Sequence, residues 1–299
     1  MQSYEPFETA VITGACGFLG LALVRLLLER GQMVWAVDHK KNAAKLPKRE
    51  HLFFAETPFV TQPNLHCDIW YHLGWSGSRA KARTDAALQA ENIRQTIQAV
   101  ETAAELGCKK FVFAGSIMEA EVLQAQTQGI ETQNAYGWAK HCAAHLGRIA
   151  AQQKNMCFVT ARITNVYGAG ENSERLISSS LRKIRMGEHL SFSAGKQNYD
   201  FLYVTDAARA LAAIGKHGKD GMCYVLGSGQ PQPLRLWLEE LLEICKGTAD
   251  FGKEVPEGIC LPMAAYDTTT LCRDTGFMPQ VSFAEGLRRT MAWQMEVET

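Results

Sequence analysis

Apolar residues near the start of the chain alternate between two patterns: short, nearly continuous runs, and longer stretches in which they recur every three or four positions. Thr9-Ala-Val-Ile-Thr13 is a run of the first kind, and Phe18 to Arg30 has the helical period and stops at Gly31. Met33-Val-Trp-Ala-Val-Asp38 repeats the strand pattern. Asp68-Ile-Trp-Tyr-His-Leu73 is a third or a fourth strand, according to whether Leu52 to Phe54 forms one. Asp85 to Leu106 reads as a helix closed by Gly107, Lys110-Phe-Val-Phe-Ala114 as a strand, Ala135 to Gln153 as a helix and Cys157 to Arg162 as a strand. Strands without a polar face, joined by helices of this length, predict an α/β fold with a doubly wound parallel sheet.

Beyond Asn165 the rhythm changes. Arg175 to Met186 reads as a helix, with Leu190 to Phe192 and Phe201 to Val204 as short strands. Asp206 to Ile214 is predicted to be a helix with Thr205 as its N-cap, followed by a strand at Cys223 to Leu226 and helices at Leu234 to Lys246 and Phe283 to Trp293. The expected division is a first domain over 1–165, to which 196–226 returns, and a smaller C-terminal domain over 166–299.

Gly14-x-x-Gly17-x-x-Gly20 lies where the first strand turns into the first helix. In that setting the first glycine permits a tight turn, the second lets backbone approach a pyrophosphate and the third packs helix on strand, the fingerprint of a Rossmann dinucleotide site. The helix start supplies free N–H groups and a partial positive charge for the phosphates. Asp38, ending the second strand, is placed to accept the adenosine ribose hydroxyls, which favours NAD. Lys40 and Lys41 follow it and soften the repulsion a 2′-phosphate would meet, so NADP is the less favoured cofactor.

Composition narrows the partners. Lys and Arg together number 31, as do Asp and Glu, so no net basic field draws in nucleic acid or an anionic membrane. Met1 to Glu8 lacks the pattern of a signal peptide, and the apolar stretch from Phe18 to Leu28 is interrupted by Arg25 and too short to span a bilayer. The nine cysteines are scattered without a C-x-x-C pair, which reads as reduced, mostly buried thiols in a cytoplasmic protein and offers no metal-ligand set.

Tyr136-Gly-Trp-Ala-Lys140 puts a phenol and an ammonium on one helix face. An ammonium beside a phenol stabilises the phenolate, which suits a base that removes a hydroxyl proton near neutral pH. Ser116 ends the strand before it, where its hydroxyl can bond the same substrate oxygen. Ser116, Tyr136 and Lys140 are therefore the candidate catalytic residues of a hydride-transfer enzyme.

These residues, with Thr13 to Gly20, Asp68 to Leu73, Asn92 to Thr96, Phe111 to Ser116, Arg162-Ile-Thr-Asn-Val-Tyr-Gly168, Asp200 to Asp206, Tyr224 to Ser228 and Gly276 to Pro279, resemble the extended short-chain dehydrogenase/reductases, in particular the NAD-dependent epimerase/dehydratase group that acts on nucleotide sugars. The resemblance runs from about Thr9 to Trp293. It implies that Phe18, Leu19, Leu73, Gly74 and Trp75 line the cofactor together with the three glycines, Tyr136 and Lys140. It places Asn165 on the substrate side, and it implies a homodimer joined through the helices at 85–106 and 135–153. Trp75 reads equally as core or as a subunit contact, and Tyr167 as packing. Where the family has an Arg for the substrate diphosphate, this chain has Tyr199, and Arg175, Arg182, Arg235 and Arg273 are the candidates to compensate.

After Ser116 come Ile117 and Met118, neither able to move a proton, and Glu119 reads as a polar loop residue. Dehydration and decarboxylation, which need a further acid or base, are thereby disfavoured. The reading that results is an NAD-dependent nucleotide-sugar epimerase working at C4 through a transient 4-keto intermediate. The alternatives are an NAD(P)H-dependent reductase of a 4-ketosugar or other carbonyl compound, and a non-catalytic Rossmann protein that senses cofactor.

Overall fold

Strands with no polar face must be covered on both sides, and one parallel sheet meets that demand. The computed structural model describes residues 9–57, 66–254 and 259–297; Met1 to Glu8 and most of the stretch between Glu56 and Asp68 lie outside the described residues. In the first half, β1 (Thr9–Thr13), β2 (Met33–Asp38), β3 (Leu52–Glu56), β4 (Ile69–His72), β5 (Lys110–Ser116) and β6 (Cys157–Ile163) are interleaved with α1 (Phe18–Glu29), α2 (Ala86–Glu105), α3 (Met118–Thr127) and α4 (Ala135–Gln153). The second half contains β7 (Asn165–Tyr167), α5 (Leu176–Arg185), β8 (Leu190–Phe192), β9 (Asn198–Tyr199), β10 (Phe201–Tyr203), α6 (Val204–His217) and β11 (Cys223–Leu226). It ends with β12 (Gln232–Pro233), α7 (Leu234–Cys245), β13 (Ala249–Phe251), α8 (Thr269–Thr275) and α9 (Phe283–Val297).

Among the described residues seven strands form the main sheet in the order β11-β6-β5-β4-β1-β2-β3, every adjacent pair parallel. Side chains alternate across it and divide the interior in two. Ala10 and Ile12 of β1 point into one core with α1 and α6, while Val11 points into the other with α2 and α4. Strand order reverses at β1, which has β2 on one side and β4 on the other. Parallel pairing aligns Thr13 with His72 and with Val37, so the carboxyl ends of these strands share one rim. A crevice at such a reversal is where ligands of this architecture bind.

The structure decides one local reading left open and corrects others. Leu52 begins a strand, so the Asp68 to Leu73 run supplies the fourth. The α6 helix starts at Val204 straight from β10, with Tyr203 at the cap position and no side-chain cap, so Thr205 lies inside it. Its first turn is secured instead by Asp206, whose carboxylate accepts the N–H groups of Gln280 and Val281, each at 2.8 Å. Glu119 stands on a helix, α3, whose weak periodicity hides it; Ile117 packs there with Leu261 and Tyr266. All nine cysteines are unpaired, but Cys142, Cys223, Cys260 and Cys272 are exposed, so the thiols are not mostly buried. Cys223 shows why, since it opens a sheet-edge strand. No helix among the described residues is long and apolar enough to cross a membrane.

One buried carboxylate ties the second half to the sheet rim. Asp200 is fully buried and accepts from Ser228 N at 3.0 Å, from Gly229 N at 3.2 Å and from the Ser228 hydroxyl, while its own carbonyl receives Asn165 N at 3.2 Å. Asp200→Ala strands these donors and is expected to cost about 3 kcal/mol in urea unfolding, with Asp200→Asn, which keeps an acceptor oxygen, costing less.

Candidate active site

The crevice is a cavity of about 760 Å³ running from Asp38, past the glycine turn, to Ser116, Tyr136 and Lys140. At its centre two loop backbones nearly touch. Gly14 has φ +67°, and a Cβ there would stand 2.8 Å from Gly74 N and 2.9 Å from the Leu73 carbonyl carbon. A Cβ on Gly20 would collide with the Gly14 carbonyl oxygen, so only glycine lets α1 start this close to β1. The start of α1 has no side-chain cap and no acidic residue in its first turn, which leaves its N–H groups free for an anion.

Asp38 lies at the far end, buried. Its Oδ2 accepts Cys16 N at 3.0 Å, and its Oδ1 accepts His39 N and Asn42 Nδ2, both at 2.8 Å. Lys40 and Lys41 are exposed. The cation tied into this corner is Lys45, which donates to Asn42 Oδ1 at 3.2 Å and lines the cavity. These groups, the open helix start and the glycine cradle fit a dinucleotide with the ribose at Asp38 and the phosphates at Gly14 to Gly20.

The loop after β4 is held from α2, which presents Gln89, Asn92 and Thr96 as a buried polar stripe. Gln89 Oε1 receives Trp75 Nε1 at 2.9 Å, and Asn92 Oδ1 receives Ser76 N at 2.8 Å. His72 lies 3.0 Å from Thr13 Oγ1 and 3.4 Å from Thr96 Oγ1, and burial holds its ring neutral by pushing its pKa down to about 3. Leu73, Gly74 and Trp75 line the cavity beside Phe18, Leu19, Gly17 and Gly20.

Ser116, Tyr136 and Lys140 come together at the other end. Asn134 caps α4, accepting Gly137 N at 3.0 Å and donating to Glu121 Oε1 at 3.0 Å, which fixes the turn that carries Tyr136. Tyr136 hydrogen-bonds the Ser116 side chain. Its ring has Arg83 Cζ 4.8 Å from the centroid and Trp75 edge-on at 6.0 Å. Burial raises the phenol's pKa, with Ser116, Arg83 and Arg175 pulling the other way.

Lys140, expected to lower the phenol's pKa, is held by neighbours of its own. Lys140 Nζ stays 5.9 Å from the Tyr136 centroid, donates to Ala114 O at 2.7 Å and rests 3.7 Å from the centre of the Trp75 ring. It is itself buried, and desolvation pulls its pKa down to about 7.

Of the residues expected on the substrate side, Asn165 and Tyr199 are half-buried and stand outside the cavity wall. Tyr199 packs its ring 5.6 Å from that of Phe201 and feels the charges of Glu121 and Arg83. Arg182, Arg235 and Arg273 are engaged elsewhere, by Glu174, Glu239 and Asp274. Arg175 does line the cavity, sharing the buried Glu171 with Arg79 at 3.4 and 3.3 Å. Arg79 and Arg83 gave no signal in the sequence, because a short irregular loop has no period to expose them. Among the described residues no group of three or more His, Cys, Asp or Glu is placed to hold a metal.

A family model described as the NAD dependent epimerase/dehydratase family matches residues 10–227. The chain belongs to this family. Its members are extended short-chain dehydrogenases, and NAD is their cofactor, in keeping with the cleft just described. The chain is 25% identical to the dTDP-glucose 4,6-dehydratase of Neisseria gonorrhoeae over 62% of its own length and 57% of that enzyme's. In structure it is similar to the UDP-glucose 4-epimerase of Thermotoga maritima, solved with UDP-glucose, with a TM-score of 0.81 at 22% identity over 97% of this chain and 100% of that one. The UDP-glucuronic acid 4-epimerase of Bacillus cereus, solved with UDP-glucuronic acid and NAD, gives 0.76 at 21% identity over 97% and 99%.

Lys140 makes a pH test possible. Unfolded, it keeps its proton up to the ordinary value near 10.5; folded, it loses it at about 7. Between these values the unfolded chain binds the extra proton, so the group adds stability as pH rises from 7 and imposes its full burial penalty below 7. The stability of wild type minus that of Lys140→Met, measured by denaturant unfolding of cofactor-free protein, is expected to be flat below pH 7 and to climb above it. A difference independent of pH refutes the assignment.

Proposed function

We propose that the chain is an NAD-dependent nucleotide-sugar epimerase acting at C4 through a transient 4-keto sugar. The observation that carries this reading is where Glu119 points. Its carboxylate is buried against Ser116 N and Arg162 and does not line the cavity, while Ile117 and Met118 carry no proton to give. Ser116 and Tyr136 are then the proton-handling pair, which suits oxidation and reduction at a single carbon. A 4,6-dehydration asks for a second acid and base.

In this reading Tyr136 takes the proton of the C4 hydroxyl while Ser116 donates to the same oxygen, and Tyr136 returns the proton to the inverted alkoxide. NAD, when bound, supplies the acceptor and donor of hydride. Arg83 and Arg175 favour the phenolate form of Tyr136 against the cost of its burial. Lys140, fixed by Ala114 O beneath Trp75, would hold the nicotinamide ribose, and Asp38 the adenosine ribose.

Arg83 is assigned to the substrate diphosphate. It stands against Tyr136, its charge reaches Tyr199, and it fills the electrostatic role left open by the Tyr at 199. Arg83→Ala should raise KM for a nucleotide hexose by about tenfold, the loss of one charge-assisted contact. Tyr199→Arg should be tolerated.

The test is incubation of purified protein with NAD and, separately, UDP-glucose, UDP-N-acetylglucosamine and dTDP-glucose, followed by proton NMR. The expected product is the C4 epimer. A 4-keto-6-deoxy sugar would instead assign dehydration, and NADH consumption with a 4-keto sugar but no epimer would assign reduction. Tyr136→Phe is expected to lower turnover by about 10²–10⁴-fold while retaining bound NAD. Calorimetric titration should give tighter binding of NAD than of NADP.

A further inference from the structure

Ser116 has two positions in the fold at once: it is the last residue of β5 and it stands at the head of α3. Ser116-Ile-Met-Glu119 has the spacing of a helix capping box, in which a serine hydroxyl accepts a first-turn N–H and a glutamate three residues on accepts the serine's own N–H. The glutamate half is present; on the serine side the cap position itself is Ile117, and the hydroxyl reaches Met118 N, one residue short of the box's usual donor. Ser116 Oγ accepts Met118 N at 3.3 Å, and Glu119 Oε1 accepts Ser116 N at 2.7 Å. Glu119 is only 1% exposed, and its other oxygen faces Arg162 Nη2 at 3.4 Å. Room for the returning carboxylate exists because residue 115 is glycine: a Cβ there would lie 2.5 Å from Glu119 Oε1.

We propose that Glu119 is a positioning residue that holds Ser116 in the box, so that its hydroxyl, with one lone pair taken by Met118 N–H, directs its proton at Tyr136 and the substrate oxygen. Helix capping and orientation of the reactive hydroxyl are thereby one structure. Arg162 serves a different end: it offsets the buried charge of Glu119 and leaves the hydroxyl's direction alone. The inference rests on the assignment of Ser116 and Tyr136 above, so its first readout is chosen to need no substrate.

The groups facing the Tyr136 phenol are Ser116 and Glu119 from the β5–α3 junction, Arg83 from the loop after β4, Arg175 ahead of α5, and Trp75 and Lys140 around the ring. Loss of the Ser116 hydrogen bond therefore moves the phenol's titration upward. Loss of the Glu119 charge moves it downward, and the comparison that isolates the cap is Glu119→Ala against Glu119→Gln. Both variants lack the charge; only the glutamine keeps an acceptor for Ser116 N.

Protein labelled at tyrosine Cζ and titrated by carbon NMR, with Tyr136→Phe assigning the resonance among eight tyrosines, gives the substrate-free readout. Tyr136 should titrate higher in Glu119→Ala than in Glu119→Gln. With whichever nucleotide hexose the wild type converts, kcat should fall about ten- to a hundredfold in Glu119→Ala, with KM and NAD affinity within about twofold, and should largely return in Glu119→Gln. Arg162→Gln should unfold earlier yet keep the wild-type kcat. If Glu119→Ala does not fold, the double variant Glu119→Met with Arg162→Met, which leaves no buried charge unpaired, takes its place with the same expectation. Equal titration of Tyr136 in Glu119→Ala and Glu119→Gln, or a loss of kcat in Arg162→Gln matching that in Glu119→Ala, would overturn the proposal. A wild type that converts none of the hexoses would count against the epimerase reading and leave the titration to decide the positioning role.

Discussion

The approach of Gly14 to Leu73 and Gly74 is the constraint on which the rest of the cleft depends. These two turns leave neighbouring parallel strands at the point where the sheet reverses its order, and they are close enough that a single methyl group would separate them. Thr13 braces the contact, since its hydroxyl accepts Gly74 N at 3.2 Å and its carbonyl accepts Leu73 N at 3.2 Å. From this neck the cavity opens toward Asp38 on one side and toward Tyr136 on the other. A ligand that spans both must cross backbone rather than side chains, which is what an extended dinucleotide with a phosphate bridge at its middle can do.

Burial sets the electrostatics of the reacting end. Tyr136 and Lys140 are both withdrawn from water, and desolvation favours the neutral form of each. In this state the lysine nitrogen lies against a carbonyl oxygen and an aromatic face, and the phenol lies against a serine with Arg83 beside its ring. Arg83 and Arg175, from two other segments, add charge that favours the phenolate.

The fold was legible where a residue's environment is dictated by its own strand or helix. β5 is buried at every position and its middle, Phe111 to Ala114, reads as an uninterrupted apolar run, and the glycines of the first turn announce a geometry that only glycine accepts. What was not legible depends on distant contacts. The α3 helix has little periodicity of its own, and its start packs on Leu261 and Tyr266 through Ile117, Met118 and Ala120, so nothing local distinguishes it from a loop. The start of α6 is secured by Asp206 reaching Gln280 and Val281, contacts more than seventy residues away, and a preceding threonine is a misleading substitute. Arg83 and Arg79 acquire meaning only once a loop with no period is folded over Tyr136 and Glu171. Glu119 is the instructive case, because the serine–glutamate spacing stands in the chain, while the apolar pair between them gives no sign that a helix begins there.

Gly115 carries a consequence for how relatives of this chain diverge. A Cβ at Gly115 would meet both the Glu119 carboxylate at 2.5 Å and Thr160 Cγ2 at 2.9 Å, so the glycine yields only once the carboxylate has gone and Thr160 gives way, and the carboxylate keeps its place only while the glycine remains. The two sites are therefore not free to drift separately. A lineage that replaced Gly115 with alanine would first have to abandon Glu119, and one acquiring a glutamate at that helix position would need the glycine already in place. Comparing which residues accompany each other at these positions, rather than which are most frequent at each, is the way to sort such proteins by how their serine is held.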